Sequence, residues 1–289
     1  MNTAQTEAPL VEPVIAFQGE RGAYSEEAIR CHFGPEVEAL PCESFAAIFE
    51  AIKSGQASCG MLPVENALAG TVAQAYELLM EHDFRVQGEH ILPVRHCLLA
   101  PPGTSLKDVR TVRSHPQALA QCADTLRRRG WEPVAWYDTA GAARELAANP
   151  EPHTAVIASA LAGELYDLTV LERGIEDDPS NSTRFFVIGP TDAPRRDPSK
   201  TSLVFAVRHG PGALVHCLNA FANRGINLTK IESRPMRGRP WQYWFYLDFE
   251  GHWQDPAAEA SLVELLRQAS LVKMLGSYPA ATGGPNSTA

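Results

Sequence analysis

The chain lacks any long apolar run. Nothing in its 289 residues approaches the ~20 consecutive apolar residues of a membrane-spanning helix. It also lacks a surplus of positive charge: Asp and Glu number 34 against 25 Lys and Arg, a formal net charge of −9. That argues against nucleic acid as a partner, which needs a basic footprint, and leaves an anionic ligand dependent on helix N-termini or an arginine. The six cysteines (Cys31, Cys42, Cys59, Cys97, Cys122 and Cys217) form no C-x-x-C pair and no Cys/His cluster at zinc spacing. They read as reduced thiols acting as small hydrophobes, which predicts a cytoplasmic protein with no metal and no activated thiol. Residues 1–13 show no basic segment followed by an apolar core, so no secretory signal is read there. Residues 1–13 and 280–289 are expected to be disordered.

What is present is an alternation of short apolar strands and amphipathic helices. Val14–Phe17 reads as a strand, followed by the turn Gln18–Ser25 and a helix with Ser25 as its expected N-cap. The Gly-rich turn invites a dinucleotide reading, which fails because the full G-x-G-x-x-G spacing is absent. Ser44 opens a helix with Phe45, Ile48, Phe49 and Ile52 on one face. Glu65 and Asn66 fall between the strand Cys59–Leu62 and a helix start, where open α/β sheets bind ligands. Ser114 and His115 precede Pro116 and read as helix caps, since no G-x-S-x-G elbow surrounds them. One helix is expected from Pro116 to about Arg129. The strand Phe185–Ile188 follows the polar run Ser180-Asn181-Ser182-Thr183, whose hydroxyls and amide can each donate to a ligand.

This pattern over residues 14–189 implies a mainly parallel α/β architecture with two lobes and a cleft. The expected domains are a catalytic unit over 14–190, with crossovers near 93–97 and 170–180, a linker over 191–200, and a βαββαβ ferredoxin-like module over 201–279.

The motifs Gly19-x-x-Gly22-Ala23-Tyr24-Ser25, Pro63-Val64-Glu65-Asn66, Ser114-His115-Pro116-Gln117 and Asn181-Ser182-Thr183-Arg184-Phe185 stand in the order seen in the prephenate dehydratases, which the chain resembles from about residue 14 to 279. The last module resembles an ACT domain through Gly212-Ala213-Leu214-Val215 and Glu232-Ser233-Arg234-Pro235. The resemblance implies a bilobal, periplasmic-binding-protein-like catalytic domain, and a cofactor-free lyase that converts prephenate to phenylpyruvate, CO2 and water in phenylalanine biosynthesis. It gives Thr183 the proton-donor role and maps substrate-binding positions onto Asn66, Ser114, Gln121, Asn181 and Ser182. Arg184 reads either as a carboxylate clamp or as a structural ion pair with Glu176–Asp178. For the ACT-like module it implies phenylalanine held at Gly212, Ala213, Leu214, Asn227, Glu232 and Ser233 between paired subunits, hence a homodimer or tetramer. Ala67 departs from the family's usual Ser or Thr, which leaves prephenate and its amino analogue arogenate both open as substrates. Fused chorismate mutases carry an extra helical region, for which thirteen lead-in residues leave no room. The rival from another class is a non-enzymatic ligand sensor.

Overall fold

The computed structural model describes residues 13–208, 210–236, 238–239 and 241–281. The expected disorder therefore falls almost wholly outside the described residues. Ala280 and Ala281 are described, and their backbone N–H groups donate to Pro198 O and Glu89 Oε1.

The first lobe runs β1 (Val14–Gln18), α1 (Tyr24–Phe33), β2 (Glu38–Cys42), α2 (Phe45–Lys53), β3 (Cys59–Asn66), β4 (Gly70–Thr71), α3 (Ala73–Glu81) and β5 (Arg85–Pro93). The chain then crosses to a second lobe of β6 (Cys97–Ala100), β7 (Thr111–Ser114), α4 (Pro116–Gln121), α5 (Ala123–Arg129), β8 (Glu132–Ala135), α6 (Thr139–Ala148), β9 (Thr154–Ala158), α7 (Ala160–Leu165) and β10 (Thr169–Arg173). It returns to the first lobe as β11 (Ser182–Gly189). A third unit follows: β12 (Ser199–Val207), α8 (Ala213–Ala222), β13 (Leu228–Pro235), β14 (Tyr243–Glu250), α9 (Pro256–Gln268) and β15 (Ala269–Pro279).

Among the described residues the strands form sheets ordered β2-β1-β3-β11-β5, β10-β6-β9-β7-β8 and β13-β14-β12-β15. The first two make the bilobal α/β fold, and the third has the βαββαβ order of an ACT-type module. The lobes are more mixed than the alternation implied. β11 runs antiparallel between β3 and β5, and β6 runs antiparallel to both β9 and β10. These are the strands next to the two crossovers, where the chain reverses.

Other differences are local. Glu65 and Asn66 belong to β3, because β11 pairs it as far as Asn66. The helix expected over 116–129 breaks at Cys122, where Asp177 from the return crossover accepts from Asp124 N and Thr125 N. That is the capping a new helix start requires. Helix α1 starts one residue before Ser25, with Ala23 as N-cap.

Strand alternation divides the core. Phe185 and Val187 of β11 pack with Ile15, Phe17 and Met61, and with Ala142, Val156 and Ala162 of the second lobe. Phe186 and Ile188 face the opposite way, against Tyr76 of α3 and Val204, Tyr246, Leu275 and Tyr278 of the third sheet. One strand thus touches all three units, and a one-residue slip would exchange its two faces. Each large side chain it buries stabilises by about 1.5–3 kcal/mol.

The turn before α1 is an inter-lobe lock. Ser159 Oγ donates to Gly22 O at 2.6 Å and Tyr166 Oη to Arg21 O at 2.8 Å. Gly22 has φ +85°, and a Cβ there would lie 2.8 Å from Ala162 Cα. Gly22→Ala is therefore expected to destabilise by more than about 1 kcal/mol, read as a lowered urea midpoint with loosened lobe contact. The anion this turn holds is internal: the buried Glu26 carboxylate accepts from Gly22 N at 2.8 Å and pairs with Arg21 and Arg30.

Candidate active site

The site is built where β3 and β11 lie side by side. Their register pairs Thr183 with Asn66 and Arg184 with Glu65, then jumps to Phe185 opposite Pro63. Val64 is the extra residue of a β-bulge, which re-aims the side chains that follow it. Strict alternation from Met61 would send Glu65 toward the second lobe. The bulge instead puts Asn66 on the face of Thr183, Phe185 and Val187, and Glu65 on the face of Arg184.

Asn66 is held with its amide polarity fixed. Its Oδ1 accepts from Leu68 N at 3.1 Å and Ala69 N at 2.9 Å. Backbone N–H groups can only donate, so the Nδ2 edge must face the other way. There it donates to Thr183 Oγ1 at 3.0 Å, Asn181 Oδ1 at 2.9 Å and Ser182 O at 3.2 Å. Thr183 Oγ1 is thereby an acceptor toward Asn66, which leaves its own O–H free to donate elsewhere. Asn181 is 1% exposed, and its Nδ2 is buried without a partner. A buried donor of that kind costs about 1–3 kcal/mol unless a ligand satisfies it. The structure thus brings Asn66, Asn181, Ser182 and Thr183 together.

The second-lobe candidates are placed differently. Ser114 is fully buried on the face of β7 that carries Val112, and its hydroxyl donates to Ile157 O at 2.7 Å. It ties β7 to β9 rather than facing a ligand, which corrects its expected substrate role. Gln121 ends α4 and meets the first crossover, where its Oε1 lies 2.8 Å from His96 Nε2. The far nitrogen of that ring, Nδ1, lies 2.6 Å from Tyr24 Oη. Nothing in the residue spacing announced His96.

Arg184 holds neither a cleft carboxylate nor the acidic stretch. Its Nε donates to Glu89 at 2.7 Å, Nη1 to Asp248 at 2.5 Å and Nη2 to Tyr278 Oη at 3.0 Å, with the guanidinium 4.8 Å from the Phe186 ring centroid. Adjacent strand residues point to opposite faces, so the neighbour of Thr183 must look toward the third sheet. This corrects both readings of Arg184. Burial works against its charge, but Tyr278, Asp248 and Glu89 more than offset that and hold it protonated. Burial likewise penalises the Glu89 carboxylate, yet Arg184 and Lys200 keep it below its ordinary range. The acidic stretch serves the crossovers: Glu176 pairs with Arg95 at 3.0 Å and accepts from His96 N, Asp177 caps α5, and Asp178 accepts from Ser180 N.

In the third unit, Gly212 has φ +74° at the start of α8, and Ala213 and Leu214 follow it. Asn227 O accepts from Glu250 N. Glu232 lies on the face turned to the first lobe, where it contacts Thr71, Lys230 at 3.2 Å and Arg234 at 3.3 Å. Lys230 also pairs with Glu65 at 3.0 Å. Ser233 takes the opposite face of β13. Within one chain, no hydrogen bond among the described residues joins Gly212, Ala213 or Leu214 to Glu232 or Ser233.

The thiols are free, and Cys59, Cys97, Cys122 and Cys217 are buried. Burial pushes Cys59 up to about 11, so these thiols are poor nucleophiles. Among the described residues there is no cluster of three or more metal-ligating side chains, and no helix is long and apolar enough to cross a membrane.

Residues 15–193 match the family model for prephenate dehydratase. The chain belongs to the prephenate dehydratase family. It is a hydro-lyase of that family, whose reaction serves phenylalanine biosynthesis. It is 43% identical over 279 residues to arogenate dehydratase/prephenate dehydratase 2, chloroplastic, of Arabidopsis thaliana, covering 93% of this chain and 73% of that one. A solved prephenate dehydratase from Arthrobacter aurescens in complex with L-Phe is 30% identical, with a TM-score of 0.85 over 96% of this chain and 93% of that one. A structure titled GqqA, a novel type of quorum quenching acylase, is 39% identical with a TM-score of 0.86, covering 94% and 98%.

These relatives overturn the expected cytoplasmic location. Several chains similar over at least 92% of this one are named chloroplastic. Free, mostly buried thiols carry no information about which compartment holds the chain.

Proposed function

We propose that this dehydratase acts on prephenate at Thr183, in a catalytic domain over residues 14–190. The C1 carboxylate leaves as CO2. Its bonding electrons form a new ring double bond, and the C4–O bond breaks. The departing hydroxyl takes a proton and leaves as water, so one proton is taken up from solvent overall. The observation that carries this reading is the fixed Asn66 amide, which aims its N–H at Thr183 Oγ1. The Thr183 O–H then donates toward the leaving oxygen, a bond that strengthens as charge develops there. Asn181 Nδ2 and Gln121 remain as donors for the substrate's carboxylates and keto group, whereas Ser182, the other strand neighbour of Thr183, meets Asn66 only through its backbone carbonyl.

The chemistry of the donor set favours elimination over acyl hydrolysis. Among the described residues, every side chain hydrogen-bonded to Asn66 or Thr183 is an amide or a hydroxyl. Acyl hydrolysis needs a base to activate water, whereas decarboxylative dehydration needs only a donor. Arogenate is the second reading, favoured by the arogenate dehydratase relatives.

L-Phenylalanine is the proposed effector, bound by a homo-oligomer at a regulatory ACT domain over residues 201–279. The Glu232–Lys230–Glu65 bridge supports a route from that domain to β3. The deciding experiment incubates the purified chain with prephenate, arogenate and an N-acyl amide in chelator-treated buffer, with and without phenylalanine. Phenylpyruvate from prephenate, suppressed or stimulated by phenylalanine, is the expected result. Phenylalanine from arogenate alone transfers the proposal to that substrate, and amide cleavage alone overturns it.

A further inference from the structure

We infer that Tyr24 and His96 are positioning residues that set the polarity of the Gln121 amide. The inference rests on the proposal that Gln121 contacts the substrate. The three side chains come from three parts of the fold: Tyr24 from α1 of the first lobe, His96 from the first crossover, and Gln121 from α4 of the second lobe. His96 is 2% exposed. Its backbone N–H is pinned to Glu176 Oε2 at 2.9 Å, and its ring stands edge-on to Tyr24 at 5.5 Å between centroids. Burial pulls this imidazole below its ordinary pKa, against opposing effects of Gln121 and Glu176. The ring is therefore neutral and carries one N–H, on one nitrogen or the other.

Two arrangements are self-consistent. In the first, Tyr24 O–H donates to His96 Nδ1, so the ring proton sits on Nε2 and is given to Gln121 Oε1. The Gln121 amide nitrogen is then free to offer two N–H groups. In the second, Tyr24 O–H turns to Arg95 O, His96 Nδ1–H donates to Tyr24 Oη, and Nε2 must accept from a flipped Gln121. The amide then shows the substrate an acceptor.

Distances select the first. The first lets Tyr24 O–H donate to His96 Nδ1 at 2.6 Å, whereas the second must send it to Arg95 O at 3.3 Å, too long for a strong O–H donor bond. Among the described residues Gln121 Nε2 has no hydrogen-bond partner. A dianion needs donors, so the Nε2–H tautomer is the productive one.

Nitrogen-15 NMR of the ligand-free full chain reads the tautomer without any assay. We expect His96 protonated on Nε2 with a pyridine-like Nδ1, and finding the proton on Nδ1 overturns the inference. Tyr24→Phe removes the selecting O–H, and KM is expected to rise about 10- to 100-fold, the range for losing a hydrogen bond to a charged group, with little change in kcat. His96→Gln keeps an N–H toward Gln121 and should retain more substrate affinity than His96→Leu. An unchanged KM in Tyr24→Phe, or equal loss in both His96 variants, also overturns it. A wild-type chain inert toward prephenate and arogenate would sink the proposed function instead, and the tautomer measurement would still stand.

Discussion

Thr183→Ala is expected to lower kcat about 10²–10⁴-fold, the usual worth of a positioned proton donor, while KM changes by no more than a few-fold. The expectation follows from what the hydroxyl touches. Oγ1 accepts from Asn66 Nδ2 at 3.0 Å, which directs the O–H away from β3 and toward the second lobe. A threonine hydroxyl is a weak acid, so its contribution comes as the leaving oxygen gains charge and little of it is felt when substrate first binds. An interaction made only in the transition state reduces kcat and kcat/KM together. Thr183→Ser keeps the O–H and should recover most of the loss, though without the γ-methyl that restricts rotation. Stability should move little, because Thr183 is half-buried and Asn66 keeps its other bonds. Steady-state kinetics on prephenate with a parallel urea titration checks both parts. Full turnover by Thr183→Ala would remove the residue from the chemistry.

The βαββαβ order of the third unit was legible, because there the period-two strands and the period-3.6 helices are separated by Gly and Asn turns. It also marked Asn66, Asn181, Ser182 and Thr183 as small polar groups beside buried strands. It misplaced Arg184 and Ser114. A linear motif does not say which face each member takes, and here the two halves of Thr183-Arg184 serve different domains. The bulge at Val64 is the sharper case. Alternation read from Met61 assigns Glu65 and Asn66 to the wrong faces, and only the pairing with β11 exposes the extra residue. His96 went unnoticed for another reason. Its partners come from positions 24, 121 and 176, and contacts that distant in sequence leave no local pattern. The cytoplasmic expectation failed because thiol chemistry senses redox state and not address.

Arg184→Ala is expected to cost about 3–5 kcal/mol of stability, the range for removing one partner from a buried ion cluster. The guanidinium bridges Glu89 of β5, Asp248 of β14 and Tyr278 of β15, and Glu89 and Asp248 are 4% and 2% exposed. Lys200 still reaches Glu89 at 3.0 Å, but in the variant no other basic side chain among the described residues pairs with Asp248. Arg184→Lys supplies one point charge where a planar fork made three bonds, so it should recover only part of the loss. The pH dependence has a definite sign. Glu89 is held below its ordinary pKa, so its contribution is present above the unfolded carboxylate value of about 4.3 and is lost as pH falls through the lower folded value. The gap between wild type and Arg184→Ala should therefore narrow below about pH 4. Denaturant titrations at pH 7 and pH 3.5 measure it. Because Arg184 faces away from Thr183, kcat per folded molecule should stay within a few-fold of wild type. What should change is the response to phenylalanine, since the variant loses the hydrogen bonds from β11 to Asp248 and Tyr278 of the third sheet. A variant as stable as wild type but devoid of turnover would return Arg184 to the substrate and contradict the face on which the fold presents it.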